Sequence, residues 1–258
     1  MWFAFALLLP ILAGCGEDAT ADSSNKRVSV FAAASMKDGL TDLAKQFKEA
    51  HPGTDVTMSF GGSQDLAMQI QKGAPVNIFI SADYSQMQLA GASGRIPTSS
   101  VQELAENSLV VAAWPRSHVR ELQDLAAPHT RVIMAAAQVP AGAYAHQALN
   151  KLQDALHKPG FAAAVLRNVV SYEQDVRTVL QKVEMGEADA GVIYRTDASS
   201  SHGKVRTILI PAQANVTSRY WIAQVDQWYD TAKGFVSYAR SPDGQSILAK
   251  HGFLHAAK

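Results

Sequence analysis

Ser35, in the stretch VFAAASMKDGL, and Ser63, in SFGGSQDL, occupy equivalent places: each follows a β-rich run and opens a segment of helical periodicity. The residues just before them, Ala32 to Ala34 and Gly61 to Gly62, carry little or no side chain, so a ligand could approach the backbone N–H groups at both helix starts. A helix N-terminus carries roughly half a positive charge and is a ready anion site. Both serines also suit the N-cap, and Asp38, three residues after Ser35, makes something close to a capping box. The two roles are compatible, because a capping oxygen accepts from a backbone N–H while its own proton stays free to donate. Two such ends meeting in one cleft would favour an oxyanion.

A hydroxyl can also be a nucleophile, so a serine hydrolase acting through Ser35 or Ser63 is the enzymatic alternative; it requires a base within hydrogen-bond reach. Ser35 lies in AAASM rather than in a G-x-S-x-G elbow. The 8 histidines, at positions 51, 118, 129, 146, 157, 202, 251 and 255, show no HExxH or comparable ligand spacing. Neither a P-loop nor a G-x-G-x-x-G occurs, and GASG at 91–94 reads as a turn. The reading is therefore a binding protein with no catalytic residue, no cofactor and no directly ligated metal. Among the aromatic residues Tyr194, at the end of a strand-like run, is the one kept as a candidate ligand-binding residue.

The elements that must position these residues alternate. RVSVFAA, DVTMSF and VNIFISA read as strands separated by helices, the first with Met36, Leu40, Leu43, Ala44 and Phe47 on one face and the second closed by Gly73. Strand and helix alternating at this spacing predict a parallel, doubly wound sheet. A second series begins at SLVVAAW and continues through RVIMAA, a helix over about 141–156, a helix over about 174–185, AGVIY and VRTILI. YWIAQV and two terminal helices, roughly 226–240 and 243–250, follow and are expected to return to the first lobe. The fold class is thus α/β, with two doubly wound lobes and a ligand cleft between them: 26–107 plus 221–258 form lobe 1 and 108–220 lobe 2. In open α/β sheets ligands bind beyond the carboxyl ends of the strands, which is where both serines fall.

Composition narrows the partners. The chain has 258 residues, 47% hydrophobic and 18% charged, with 23 basic and 23 acidic side chains and a net charge of zero, so nothing resembles the basic stripe that tracks a nucleic acid. The opening MWFAFALLLPILAGC is apolar and too short to span a bilayer as a mature helix, and residues 1–25 read as an export signal and polar tether. LAGC at 12–15 has the form of a bacterial lipobox, with the single cysteine, Cys15, as the lipidated residue. A periplasmic or otherwise extracytoplasmic protein, anchored to the membrane by acyl chains on Cys15, is expected.

Taken in order, VFAAASM, SFGGSQDLAMQIQKGAPVNIFISAD, NSLVV, VPAGAYAHQAL, EQDVRTVLQKVEMGEADAGVIYRTDA and the late HGF resemble the ModA family of periplasmic molybdate-binding proteins of ABC transporters, over residues 27 to 253. The resemblance implies a type II periplasmic binding protein whose lobes close on molybdate or tungstate and which delivers it to a permease in the inner membrane; the same fold recognising a different oxyanion or small acid is the alternative, and a monomer is expected. It implies hydroxyl donation from Ser35, Ser63 and Tyr194 and backbone N–H donation from Ala141 of VPAG and Val176 of QDVRT. Molybdenum would be held as its oxyanion rather than ligated by side chains. One departure is MAAAQ at 134–138, where relatives commonly carry Gly or Ala, then Asp or Asn, then Pro. Asp38, Asp65 and Asp175 lie at the same helix starts, and their carboxylates are expected to point away from a dianion.

Overall fold

A computed structural model describes residues 27–226 and 230–256. The proposed signal, the lipobox and Cys15 lie outside the described residues.

β1 (Arg27–Ala33), β2 (Asp55–Gly61) and β3 (Ile78–Ser81) form a parallel set with β1 in the middle. Every residue of β3 is buried, as its unbroken apolar run requires of a strand covered on both faces. A 3-10 turn at Ala34–Met36 leads into α1 (Lys37–Ala50), which buries Leu40, Leu43, Ala44 and Phe47, and α2 (Ser63–Gln71) follows β2. Gly73 stops that helix with φ +87°, a conformation that costs a residue with a Cβ. α3 (Tyr84–Gly91) comes after β3, capped by Asp83, whose carboxylate accepts from the Gln86 N–H at 2.8 Å.

The next strand, β4 (Gln102–Ala113), is 12 residues long. The predicted strand SLVVAAW is only its second half; ELAEN extends it backward. Residues 102–108 of β4 pair antiparallel with β9 (Thr217–Gln224) in the first sheet, and Leu109–Ala113 pair antiparallel with β7 (Ala190–Tyr194) in the second. The same stretch also pairs with β8 (Arg206–Leu209). One strand therefore runs through both sheets, which join in the order β2-β1-β3-β9-β4-β7-β5-β6.

In the second lobe β5 (Val132–Ala135) lies parallel to both β7 and β6 (Val169–Glu173). α4 (Pro140–Ala155), α5 (Phe161–Arg167), α6 (Val176–Glu184) and the short α7 (Arg195–Ser200) connect them. The sequence reading passed over α5, β6 and α7. α8 (Asp230–Arg240) and α9 (Pro242–Lys250) return to α1 as expected: Phe235 meets the edge of Phe47 at 5.2 Å, and a Cβ on Gly39 would touch Leu248 at 3.2 Å. β10 (Leu254–His255) pairs with β4. The fold is α/β with two lobes, each a sheet flanked by helices.

At the crossing between the sheets Asn215 holds the two connecting segments together. Its side chain accepts from the Leu109 N–H at 3.0 Å and donates to the Leu109 carbonyl at 2.8 Å.

Candidate functional site

All five residues that the sequence singled out line one small cleft between the lobes, with about 220 Å3 of empty space including its opening to solvent. From the first lobe come Ser35 and Ser63, with Ala33, Ala34, Gly61, Gly62 and Ala82; from the second come Ala141, Val176 and Tyr194, with Val139, Pro140 and Asp175. Three helices, α2, α4 and α6, begin at this lining. The first amides of each have no carbonyl to accept them within their own helix, so the site is rich in unspent donors. No Lys or Arg lines it.

The serines act otherwise than as caps. Ser35 sits inside the 3-10 turn and makes no capping bond; α1 begins two residues later, with Met36 at its N-cap. Ser63 is the first residue of α2, with Gly62 at the N-cap. The chain thus turns one step away from where caps would need it, and the two oxygens meet partners distant in sequence, Tyr220 on β9 and the Ala82 backbone just after β3. Ser63 Oγ accepts from the Ala82 N–H at 3.1 Å, and Ser35 Oγ lies 2.7 Å from the Tyr220 hydroxyl. Both serines are buried, 3% and 2% exposed.

Helix α4 starts with Pro140 in its first turn, where the missing N–H costs nothing. Across MAAAQ the loop is pinned through backbone: the Ala136 N–H donates to the Glu173 carbonyl at 2.9 Å and the Val139 N–H to the Ala136 carbonyl at 2.9 Å. Gly142 makes this packing possible, since a Cβ there would lie 2.1 Å from the Ala136 oxygen. Helix α6 is capped by Asp175, which accepts from the Thr178 N–H and from the Thr178 hydroxyl, each at 2.9 Å.

Tyr194 ends β7 fully buried, its ring 5.9 Å from that of Tyr220. Burial, and the neighbouring Tyr220, push its phenol well above the ordinary value, so it remains protonated and able to donate. Its oxygen lies 3.5 Å from Ser218 Oγ, whose own proton goes to the Ala82 carbonyl at 2.9 Å.

The acidic residues at the helix starts are occupied elsewhere. Asp175 faces Thr178, Asp65 accepts from the Gln64 amide at 3.2 Å, and Asp38 pairs with Arg177. That last pair joins the lobes, as do the Gln64 amide donating to the Gln174 carbonyl at 2.9 Å and the Gln86 amide reaching the Gln138 carbonyl at 3.5 Å. The cleft is closed. Next to it a wider cleft of about 1130 Å3 shares Ser35 and is walled by α1, α6, α7 and the end of α9; unlike the smaller one it is lined by charged side chains, Asp38, Asp42, Arg177 and Lys250 among them.

Sequence reasoning missed Tyr220, Asn107, Arg177 and Gly142. Tyr220 lies 185 residues from Ser35, and no local spacing signals such a contact. Arg177 adjoins Val176, and its position beside a helix start could have drawn attention.

A sequence profile for bacterial extracellular solute-binding proteins matches residues 28–254. The molybdate-binding protein ModA of Escherichia coli (strain K12) is 36% identical over 97% of this chain and 96% of its own length. ModA of Mycobacterium tuberculosis (strain ATCC 25618 / H37Rv) is 33% identical over 96% and 94%. The solved structure of the Azotobacter vinelandii periplasmic molybdate-binding protein superposes with a TM-score of 0.76, covering 89% of this chain and 100% of that one at 22% identity, which bears on the fold alone.

Proposed function

This chain belongs to the bacterial extracellular solute-binding protein family, and from that premise we propose that it captures molybdate, and also tungstate, outside the cytoplasm and delivers it to an ABC permease. The observation that carries the reading is the convergence of Ser35, Ser63, Ala141, Val176 and Tyr194 on one small cleft that no Lys or Arg lines.

A tetrahedral dianion leaving water must have its oxygens almost fully satisfied. The hydroxyls of Ser35, Ser63 and Tyr194 and the N–H groups of Ala141 and Val176 are five donors. At about 1.5 to 3 kcal/mol for each hydrogen bond to a charged group, they match the ~8 kcal/mol of micromolar binding. Further helix-start amides offset the cost of closure. Charge compensation comes from oriented amides and helix dipoles.

The same chemistry gives selectivity. Phosphate near neutral pH carries a proton that needs an acceptor, and a shell made of donors offers none. Sulfate is fully deprotonated but smaller, so its oxygens fall short of donors set for a wider ion. A binding role also suits the serines, each of which is engaged by a donor, a phenol or an amide, rather than by a base. In this reading the protein works as a monomer held at the membrane by lipid on Cys15.

Calorimetry of the soluble domain with molybdate, tungstate, sulfate and phosphate in turn tests the assignment. Tight binding of the first two and weak or no binding of the others is expected; sulfate binding as tightly as molybdate would refute it.

A further inference from the structure

We propose that Tyr220, oriented by Asn107, is a positioning and specificity residue that turns the Ser35 hydroxyl into a committed donor. The proposal rests on the oxyanion reading above and deepens it. It starts from a chain of hydrogen bonds running inward from the crossing between the lobes.

The orientation of the Asn107 amide is fixed at one end, because Asn107 Oδ1 accepts from the Ser108 N–H at 2.9 Å. Asn107 Nδ2 can only donate. It gives one proton to Thr196 Oγ1 at 2.8 Å and directs the other at the Tyr220 oxygen, 3.5 Å away. Tyr220 is fully buried, and Ser35 Oγ, at 2.7 Å, is the acceptor within its reach. If Ser35 donated instead, the phenol proton would be buried without an acceptor, at a desolvation cost that the opposite direction avoids. The order of donation is therefore Asn107 to Tyr220 to Ser35. Burial, and the nearby Asp197, also hold the phenol above its ordinary value, so it keeps the proton that the chain requires.

Ser35, having accepted from Tyr220, has its own proton free for the cleft that it lines. Ser63 reaches the same condition by a different route, by accepting from the Ala82 N–H. Two neutral hydroxyls, each able in principle to accept or donate, are thus set as donors. An oxyanion with a proton of its own meets two protons facing it. The discrimination lies in the partners behind the serines, and Tyr220 is the replaceable one, since at Ser63 the partner is backbone.

The test compares molybdate with arsenate, a tetrahedral dianion of similar size that carries one proton at mildly alkaline pH. Calorimetry of wild type, Tyr220→Phe and Asn107→Asp gives the ratio of the two dissociation constants. Both anions carry the same charge, so the carboxylate added in Asn107→Asp cancels in that ratio. In that variant the phenol donates to residue 107 and draws the Ser35 proton toward itself. Wild type is expected to favour molybdate strongly, and each variant should reduce the preference by about 10-fold, the equivalent of one hydrogen bond. A preference unchanged in both variants, with affinities lowered equally, would reduce Tyr220 to a packing role and overturn the inference. Wild-type protein that binds neither anion would instead overturn the proposed function, and this inference with it.

Discussion

Arg177, one residue after Val176 on α6, pairs with Asp38 of α1 across the cleft while its Nε sits 2.8 Å from Asp197 and its Nη1 donates to Ser200 at 2.8 Å. The two carboxylates differ: Asp38 is 42% exposed at its side chain and Asp197 fully buried. Asp38→Asn should therefore change folding stability by less than about 1 kcal/mol while speeding ligand release about two- to fivefold, since the lost contact exists only with the lobes together. Arg177→Met strands a buried carboxylate and should cost about 3 to 5 kcal/mol in stability. Stopped-flow release and denaturant melts separate the two; equal stability losses would contradict this division of roles.

Removal of either serine hydroxyl should weaken molybdate binding. Ser35→Ala and Ser63→Ala are each expected to cost about 1 to 3 kcal/mol, the value of one hydrogen bond to a charged acceptor. Titration calorimetry measures both, and neutral results for the pair would show that the ion is held elsewhere.

Gly62 is where the first lobe comes against the second. A Cβ there would lie 2.4 Å from the Gln174 carbonyl and 2.3 Å from the Gln64 amide. Gly62→Ala should hold the cleft ajar, weaken binding about 10-fold or more and leave the melting temperature of the unliganded protein nearly unchanged. Small-angle scattering with saturating ligand would then show a larger radius for the variant; identical radii would count against the clash.

A different carboxylate governs acid stability. Asp189 accepts from the Arg131 backbone N–H at 2.8 Å and pairs with its guanidinium at 3.2 Å. Burial alone would raise its carboxyl, but the bonds from Arg131 outweigh this and hold it below the usual 3.8. A carboxyl depressed in the folded state stabilises above its unfolded value and loses that contribution as pH falls through the folded one. Asp189→Asn should therefore destabilise at neutral pH and cease to matter in strong acid. Melts across pH settle it: a deficit that persists at the acid end would assign the effect to packing.

Much of the frame was legible because its signals are local. The apolar run of β3 and the periodicity of α1 each dictate their own element, and small residues before Ser35 and Ser63 marked the two junctions. The capping role failed because it depends on a turn geometry that the neighbouring strands override: Tyr220 and the Ala82 amide hold the serine oxygens one step out of capping position. ELAEN was not readable as strand because its pairing partner, β9, lies more than a hundred residues on. The role proposed for Ala141 and Val176 is donation through backbone, so no side-chain chemistry marks them, and only resemblance to a family pointed there.

Because β4 passes through both sheets, neither lobe owns a complete set of strands. A cut at Ser108 to excise either half would divide a strand that both need. Heating should accordingly melt the molecule in one calorimetric transition, with no intermediate in which one half survives the other, and each lobe would have to be inherited, expressed and degraded together with its neighbour.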